Sequence, residues 1–176
     1  MPDLPNSEHS GPAETVEFAR RFAESGQFRE FFREGMALVE ETADYLDGAG
    51  RAESKLLERP AALLYASESM RLTTRLMQLA SWLLLQRAVN DGEMTQEQAE
   101  REKAKVSLET LAPNADDPAF TNLPLGLLDL ITRSQGLQAR VQKIDAFLFG
   151  SENERSGDNA VHDSMALLER AFPGRQ

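Results

Sequence analysis

Seven positions between residues 60 and 89 follow one another at alternating spacings of three and four. They are Leu63, Ala66, Met70, Thr73, Met77, Ala80 and Leu84. This spacing is typical of a helix that packs in a bundle or a coiled coil. Pro60 suits a first helical turn, and Asn90-Asp91-Gly92 is a stop signal. The pattern therefore predicts one helix of about 30 residues and about 45 Å.

A second apolar stripe lies roughly 110° around the same helix, at about 100° per residue. Its members are Leu72, Leu76, Leu79 and Leu83. The two stripes form an apolar arc of about 180°, which is wider than the roughly 100° that one core needs. The helix is then either enclosed within its own bundle or packed on both a core and a second subunit. We favour the second interpretation, in which these four leucines form the interface of a homodimer.

The remaining face of this helix is polar. It holds Glu68, Arg71, Arg75, Gln78, Trp82 and Gln86. Arg71, Arg75 and Gln78 are spaced to bind a carboxylate or phosphate, and Trp82 to anchor a peptide, so we treat these four as candidates for partner binding. The alternative is a solvated face with Glu68–Arg ion pairs of little energetic value and Trp82 beneath a neighbouring element. If the arginines bind a partner, replacing Arg71 and Arg75 by alanine is expected to leave thermal melting nearly unchanged.

The rest of the chain also favours helices, because it has 6 Val and 2 Ile against 24 Leu and 22 Ala. We predict an all-α fold with three long helices. The first ends near Leu46, before the glycines at 48 and 50, and the last runs from about Leu125 to Phe149 and ends at Gly150. A short charged helix, Gln96–Leu111, begins with a capping box formed by Thr95 and Gln98. The last long helix has a seam of its own: Leu127, Leu130, Ser134, Leu137, Val141, Ile144 and Leu148.

Both ends of the chain differ from the predicted bundle domain at 13–150. Residues 1–12 are rich in Pro, Ser, Asn and Gly and are expected to be disordered, and residues 151–176 are expected to form a flexible tail. The tail ends in a possible short amphipathic helix with four apolar residues on one face, namely Val161, Met165, Leu168 and Phe172. This face either docks on the bundle or binds a partner, so the four residues are further candidates for partner binding.

Composition argues against several classes of function. With 29 acidic and 19 basic residues the net charge is −10, which opposes binding to nucleic acid or an anionic membrane. No run of 18 apolar residues is present, and the N-terminus lacks the basic and apolar regions of a signal peptide, so we expect a cytosolic protein without membrane insertion. There are no cysteines, and the two histidines, His9 and His162, lie in the predicted tails. We therefore expect no catalytic residues, no metal and no cofactor.

Two segments resemble the alphaproteobacterial RcdA family, regulators of CtrA degradation. They are FREGMALVEETADYLDGAGR at 32–51 and YASESMRLTTRLMQLASWLLLQRAVNDGEMT at 65–95. The resemblance covers most of residues 14–150. It implies a dimeric three-helix bundle without enzymatic activity that gathers at a cell pole in the cytoplasm. It also implies protein partners: the protease ClpXP, a CpdR-like response regulator that primes it, and substrates such as the cell-cycle regulator CtrA.

Two other functions compete with this adaptor. A small helical enzyme of the chorismate-mutase type would use Arg71, Arg75, Gln78 and Glu68 to bind a dianion in a closed pocket. A purely structural coiled-coil spacer would need only the apolar seams. Burial distinguishes the enzyme from the adaptor, because an adaptor leaves these polar side chains on an open surface.

Overall fold

The computed structural model describes Arg21, residues 26–105 and residues 111–171, with side chains described through Leu148. Five α-helices occur in these ranges: α1 Gly26–Asp47, α2 Ala49–Ser54, α3 Arg59–Asn90, α4 Gln96–Lys103 and α5 Leu125–Ala171. A 3₁₀ turn, Pro118–Asn122, precedes α5. Every regular element of the described residues is helical, which confirms the predicted all-α fold with three long helices. The chain divides into two units, one of Phe22–Gln142 and the other of Met1–Arg21 with Lys143–Gln176.

Local signals account for most of the helix boundaries. Pro60 lies in the first turn of α3, where its missing N–H costs nothing. The Thr95 side chain accepts a hydrogen bond from the backbone of Gln98, and the Gln98 side chain accepts one from the backbone of Thr95, so the predicted capping box is present at α4. However, α4 ends at Lys103, and Leu111 is not helical.

The predicted helix end at Gly150 was wrong. The α5 backbone continues through Gly150 and Gly157 to Ala171. Glycine in a helix interior costs about 1 kcal/mol but leaves the backbone hydrogen bonds possible, and no proline follows before residue 173 to block them. Whether residues 151–176 act as a flexible tail remains a prediction.

Within the larger unit, α1 lies against both α3 and α5. Gly35 permits the close approach of α1 to α3, because a Cβ at this position would overlap Leu83 Cδ1. Two bidentate ion pairs join α1 to α5: Arg140 binds Glu34 at 2.7 and 2.8 Å, and Arg133 binds Glu41 at 2.6 and 2.7 Å. Leucines of α3 and α5 fill the space between the helices.

Candidate functional site

The polar face of α3 lies inside the protein. Its residues Glu68, Arg75, Trp82 and Gln86 are buried, with exposed fractions between 1% and 6%. The assignment of Arg75 and Trp82 to a partner-binding surface was therefore wrong. For the charged groups the physical reason is that the backbone of residues 111–114 and Ser134 of α5 form hydrogen bonds with Glu68 and Arg75, which enclose these side chains instead of leaving them solvated.

Arg75 lies at the centre of this buried polar cluster, which comprises Glu68, Arg71, Arg75 and Ser134. Its guanidinium donates hydrogen bonds to Ser134 Oγ on α5, at 2.9 Å, and to the carbonyl oxygen of Leu111. Burial lowers the pKa of the guanidinium, and the nearby Glu68 carboxylate opposes this by favouring the charged form. Arginine keeps its proton in proteins, so the cluster contains a buried cation near the Glu68 carboxylate but not in a direct ion pair with it, and Arg75 Nε has no hydrogen-bond acceptor among the described residues.

The same cluster holds residues 111–114 against α3. Glu68 Oε1 accepts a hydrogen bond from the backbone N–H of Asn114 at 3.0 Å, and Arg71 donates to the Ala112 carbonyl at 2.9 Å. Arg71 Nε also lies 3.5 Å from Glu68 Oε1. Arg71 thus pairs with Glu68, and all three charged side chains bond to backbone groups of residues 111–114. This arrangement does not favour the chorismate-mutase alternative, which needs the same side chains around a dianion.

One residue of this cluster, Ser134, gives a signal in the sequence alone. Ser134 occupies a position in the apolar seam of α5 and is fully buried. A polar residue at a seam position needs a partner inside the protein. A long polar side chain on the neighbouring α3 helix, such as Arg75, was therefore a foreseeable partner.

The four leucines assigned to a dimer interface form the core of the chain. Leu72, Leu76, Leu79 and Leu83 are exposed by 3% or less, because α1 and α5 pack on this side of α3. Apart from Leu76, which also lines a groove between α1 and α3, they offer no surface to a second subunit in this fold, so their assignment to the interface was wrong. The prediction that one of the two stripes faces the core is consistent with the structure. However, the stripe that faces the core is the one we assigned to the dimer interface, and the other stripe is exposed.

The first stripe is the one that remains exposed. Leu63, Met70 and Met77 are each about two-thirds exposed, and Leu84 is half exposed. Apart from Arg71, whose side chain is 39% exposed, all exposed α3 residues between 61 and 86 are uncharged: Leu63, Ala66, Ser67, Met70, Thr73, Thr74, Met77 and Leu84. We call these eight residues the uncharged face of α3. An uncharged, largely apolar helix face of this length is typical of a protein–protein contact.

A shallow groove borders the uncharged face. It has a volume of about 240 Å³ and lies between α1 and α3. Val39, Ala43 and Leu46 of α1 and Met77 and Ala80 of α3 contribute to its lining. The groove extends the apolar surface from α3 onto α1.

The remaining candidates are placed as follows. Gln78 is half-buried. The backbones of Val161, Met165 and Leu168 belong to α5, but their side chains, and Phe172 entirely, lie outside the described residues. No group of three or more metal-ligating side chains occurs in the part of the chain that the structure describes. Among the same residues, no helix is long and apolar enough to cross a membrane.

Comparison with known proteins identifies the family to which this chain belongs. A family model described as a protein of unknown function (DUF1465) matches residues 19–172, so the chain is a helical-bundle member of a family without a described activity. The crystal structure of RcdA from Caulobacter crescentus CB15 is similar at 52% sequence identity and a TM-score of 0.59. The match covers 73% of this chain and 96% of that chain. The chain belongs to the RcdA family. No curated protein gave a significant match.

Proposed function

We propose that this protein is a non-enzymatic adaptor of regulated proteolysis. In this role it tethers substrates, among them cell-cycle regulators such as CtrA, to ClpXP primed by a CpdR-like response regulator. It works in the cytoplasm and is concentrated at a cell pole. The observation that carries the proposal is the 52% identity to RcdA over 96% of that chain, joined to the family resemblance of residues 32–51 and 65–95.

Two features of the larger unit support an adaptor over an enzyme. The charged side chains that an enzyme would need are paired inside the buried polar cluster. Apart from the partly exposed Arg71, the side chains that α3 presents to solvent between 61 and 86 are uncharged and mostly apolar, which suits contact with another protein. An adaptor accelerates degradation by tethering, since holding a substrate near the protease raises its effective concentration without new contacts at the processing site.

We further propose that the adaptor is a homodimer that pairs through the uncharged face of α3. The exposed stripe spans residues 63–84 and is about 32 Å long at 1.5 Å per residue. Its 3,4,3,4 spacing is that of a helix pairing with a second helix. A two-fold axis would bring the same face of α3 from both copies together, which is the self-complementary arrangement of most dimers. The absence of exposed charge on this face avoids burying unpaired ions.

The test combines association and activity. Met70→Glu with Met77→Glu places two charges on the uncharged face without touching the core. Leu56→Glu with Leu125→Glu is the matched control, because both leucines are more than 80% exposed and lie outside that face. We expect the first pair to yield folded monomer in analytical ultracentrifugation and to slow substrate degradation in a reconstituted ClpXP–CpdR reaction. The control pair is expected to retain both properties.

Two results would contradict these proposals separately. A native protein that is monomeric at micromolar concentration would contradict the dimer. A native protein that does not change the rate of degradation of any CtrA-class substrate, while remaining dimeric, would contradict the adaptor function.

A further inference from the structure

A second surface with distinct chemistry lies where the first turns of α1 meet the last turns of α3. A pocket of about 540 Å³ opens there. We call it the arginine pocket and define it by Phe28, Arg29, Phe32, Arg33, Arg87 and Asn90. It lies within the unit Phe22–Gln142 and is distinct from the apolar groove, which is lined farther along α1.

The pocket has an aromatic floor. The rings of Phe28 and Phe32 lie 6.3 Å apart, tilted by 42°. The guanidinium of Arg87 lies over the Phe32 ring, 5.0 Å from its centroid. This cation–π contact holds Arg87 across the pocket and leaves its charge directed along the aromatic surface.

The cations of the pocket exceed its anions. Arg87 lies 3.4 Å from the Asp91 carboxylate, which also borders the pocket. Arg29 and Arg33 are exposed, one helical turn apart, and neither has an ion-pair partner among the described residues. By contrast, Arg133 and Arg140 are each joined to a glutamate of α1 in a bidentate ion pair. Three cations and one anion thus give the pocket a local charge of +2 on a protein whose net charge is −10.

The side-chain amide of Asn90 also lines the pocket. Asn90 accepts a hydrogen bond from Gln86 through its side-chain oxygen at 3.0 Å, but its Nδ2 is buried and has no acceptor among the described residues. Buried amide donors normally have an acceptor, so this one is an unsatisfied polar group in the wall of the pocket.

We propose that the arginine pocket binds an acidic segment of a partner protein. Carboxylates of the segment pair with Arg29 and Arg33, and an apolar side chain packs against Phe32 and the stem of Arg87. Arginine suits this role because its planar guanidinium binds carboxylates in a bidentate manner and stacks on aromatic rings. A protein segment fits better than nucleic acid, because the surrounding charge of −10 repels a polyanion whose phosphates extend beyond the pocket.

This inference goes beyond the proposed function, because it concerns a binding reaction that is measured without a protease or substrate. Its failure leaves the adaptor proposal intact, and failure of the adaptor proposal leaves the pocket intact. The probe is a fluorescein-labelled peptide of twelve residues in which Asp alternates with Leu and Phe. The comparison probes are the same peptide with Asn in place of Asp, and a labelled single-stranded DNA of twelve nucleotides.

Fluorescence anisotropy with the full chain at two salt concentrations measures binding. We expect saturable binding of the acidic peptide that weakens with salt, and at least tenfold weaker binding of the Asn peptide and of the DNA. Arg29→Ala with Arg33→Ala is expected to weaken binding of the acidic peptide about tenfold, the effect of losing two charge-assisted contacts at exposed positions. Lys55→Ala with Arg59→Ala is the matched control, because it removes two exposed cations beside the opposite end of α3. The control is expected to change binding less than twofold.

Three results would overturn the proposal. The first is equal binding of the Asp and Asn peptides, since the pocket would then not select carboxylates. The second is an equal loss of affinity in both arginine-pocket and control variants, which would indicate general attraction between charges. The third is tighter binding of the DNA than of the acidic peptide. Circular dichroism and thermal melting of both variants verify that neither loses the fold, since all four replaced side chains are exposed.

Discussion

Replacing Arg75 by methionine tests the buried polar cluster most directly. Methionine keeps an unbranched stem of similar length and removes the guanidinium. The Leu111 carbonyl then loses a donor, the Ser134 hydroxyl loses a partner, and the buried Glu68 carboxylate loses its nearby positive charge. The substitution therefore leaves polar groups in the interior without compensation.

The structure supports an estimate of the loss. Leaving the buried Leu111 carbonyl without its donor costs about 1–3 kcal/mol, and the buried Glu68 carboxylate also loses the nearby positive charge of Arg75, with which it forms no direct ion pair. Glu68 retains the Asn114 N–H and Arg71, so we expect a total loss of about 3 kcal/mol. For a unit of about 120 residues, a loss of about 3 kcal/mol lowers the melting temperature by roughly 10–15 °C. This outcome is the opposite of the nearly unchanged melting expected for arginines on a surface.

Urea unfolding and calorimetry of Arg75→Met measure the loss, and Arg71→Ala is the matched control. Arg71 is 39% exposed and donates one hydrogen bond to Ala112, so its removal is expected to cost about 1 kcal/mol. A double-mutant cycle with Glu68→Gln then isolates the coupling between the two charges. An Arg75→Met protein that melts within about 2 °C of the native one would refute the assignment of Arg75 to the buried cluster.

Two further predictions concern other parts of the molecule. The Arg133 guanidinium lowers the pKa of the Glu41 carboxyl, so this pair stabilises the fold above the unfolded pKa of glutamate, and the stabilisation disappears as the pH falls through the lower folded pKa. In urea unfolding, Glu41→Gln should therefore be slightly less stable than the native protein at pH 7 and equal to it at pH 2.5. A difference in stability that persists at pH 2.5 would contradict this origin. Amides of residues 151–171 are expected to exchange faster than those of α3, because Gly150, Gly157 and a polar stretch weaken the helix there. Strong protection of residues 165–171 would instead indicate that the C-terminal segment docks, which contradicts a free tether.

Helical class and most helix boundaries were predictable because they depend on local interactions. The scarcity of β-branched residues, the 3,4,3,4 spacing on α3, Pro60 in its first turn and the Thr95–Gln98 capping box each act within a few residues. Gly150 was misjudged for a related reason. A glycine only raises the cost of a helix, whereas a proline blocks it, so the glycine alone did not determine where α5 ends.

Only the tertiary structure determines which faces of α3 are buried and which are exposed. Its sequence contains two apolar stripes and one polar face, and periodicity alone cannot say which of three faces a neighbouring helix covers. Packing of α1 and α5 buried the stripe that contains Leu76 and left the one that contains Met70 exposed. Leu111, which lies 36 residues beyond Arg75, supplies a carbonyl acceptor that offsets part of the free-energy cost of burying the arginine. Hydrogen bonds across such separations depend on how the helices assemble, and that information is absent from the local pattern of any one helix.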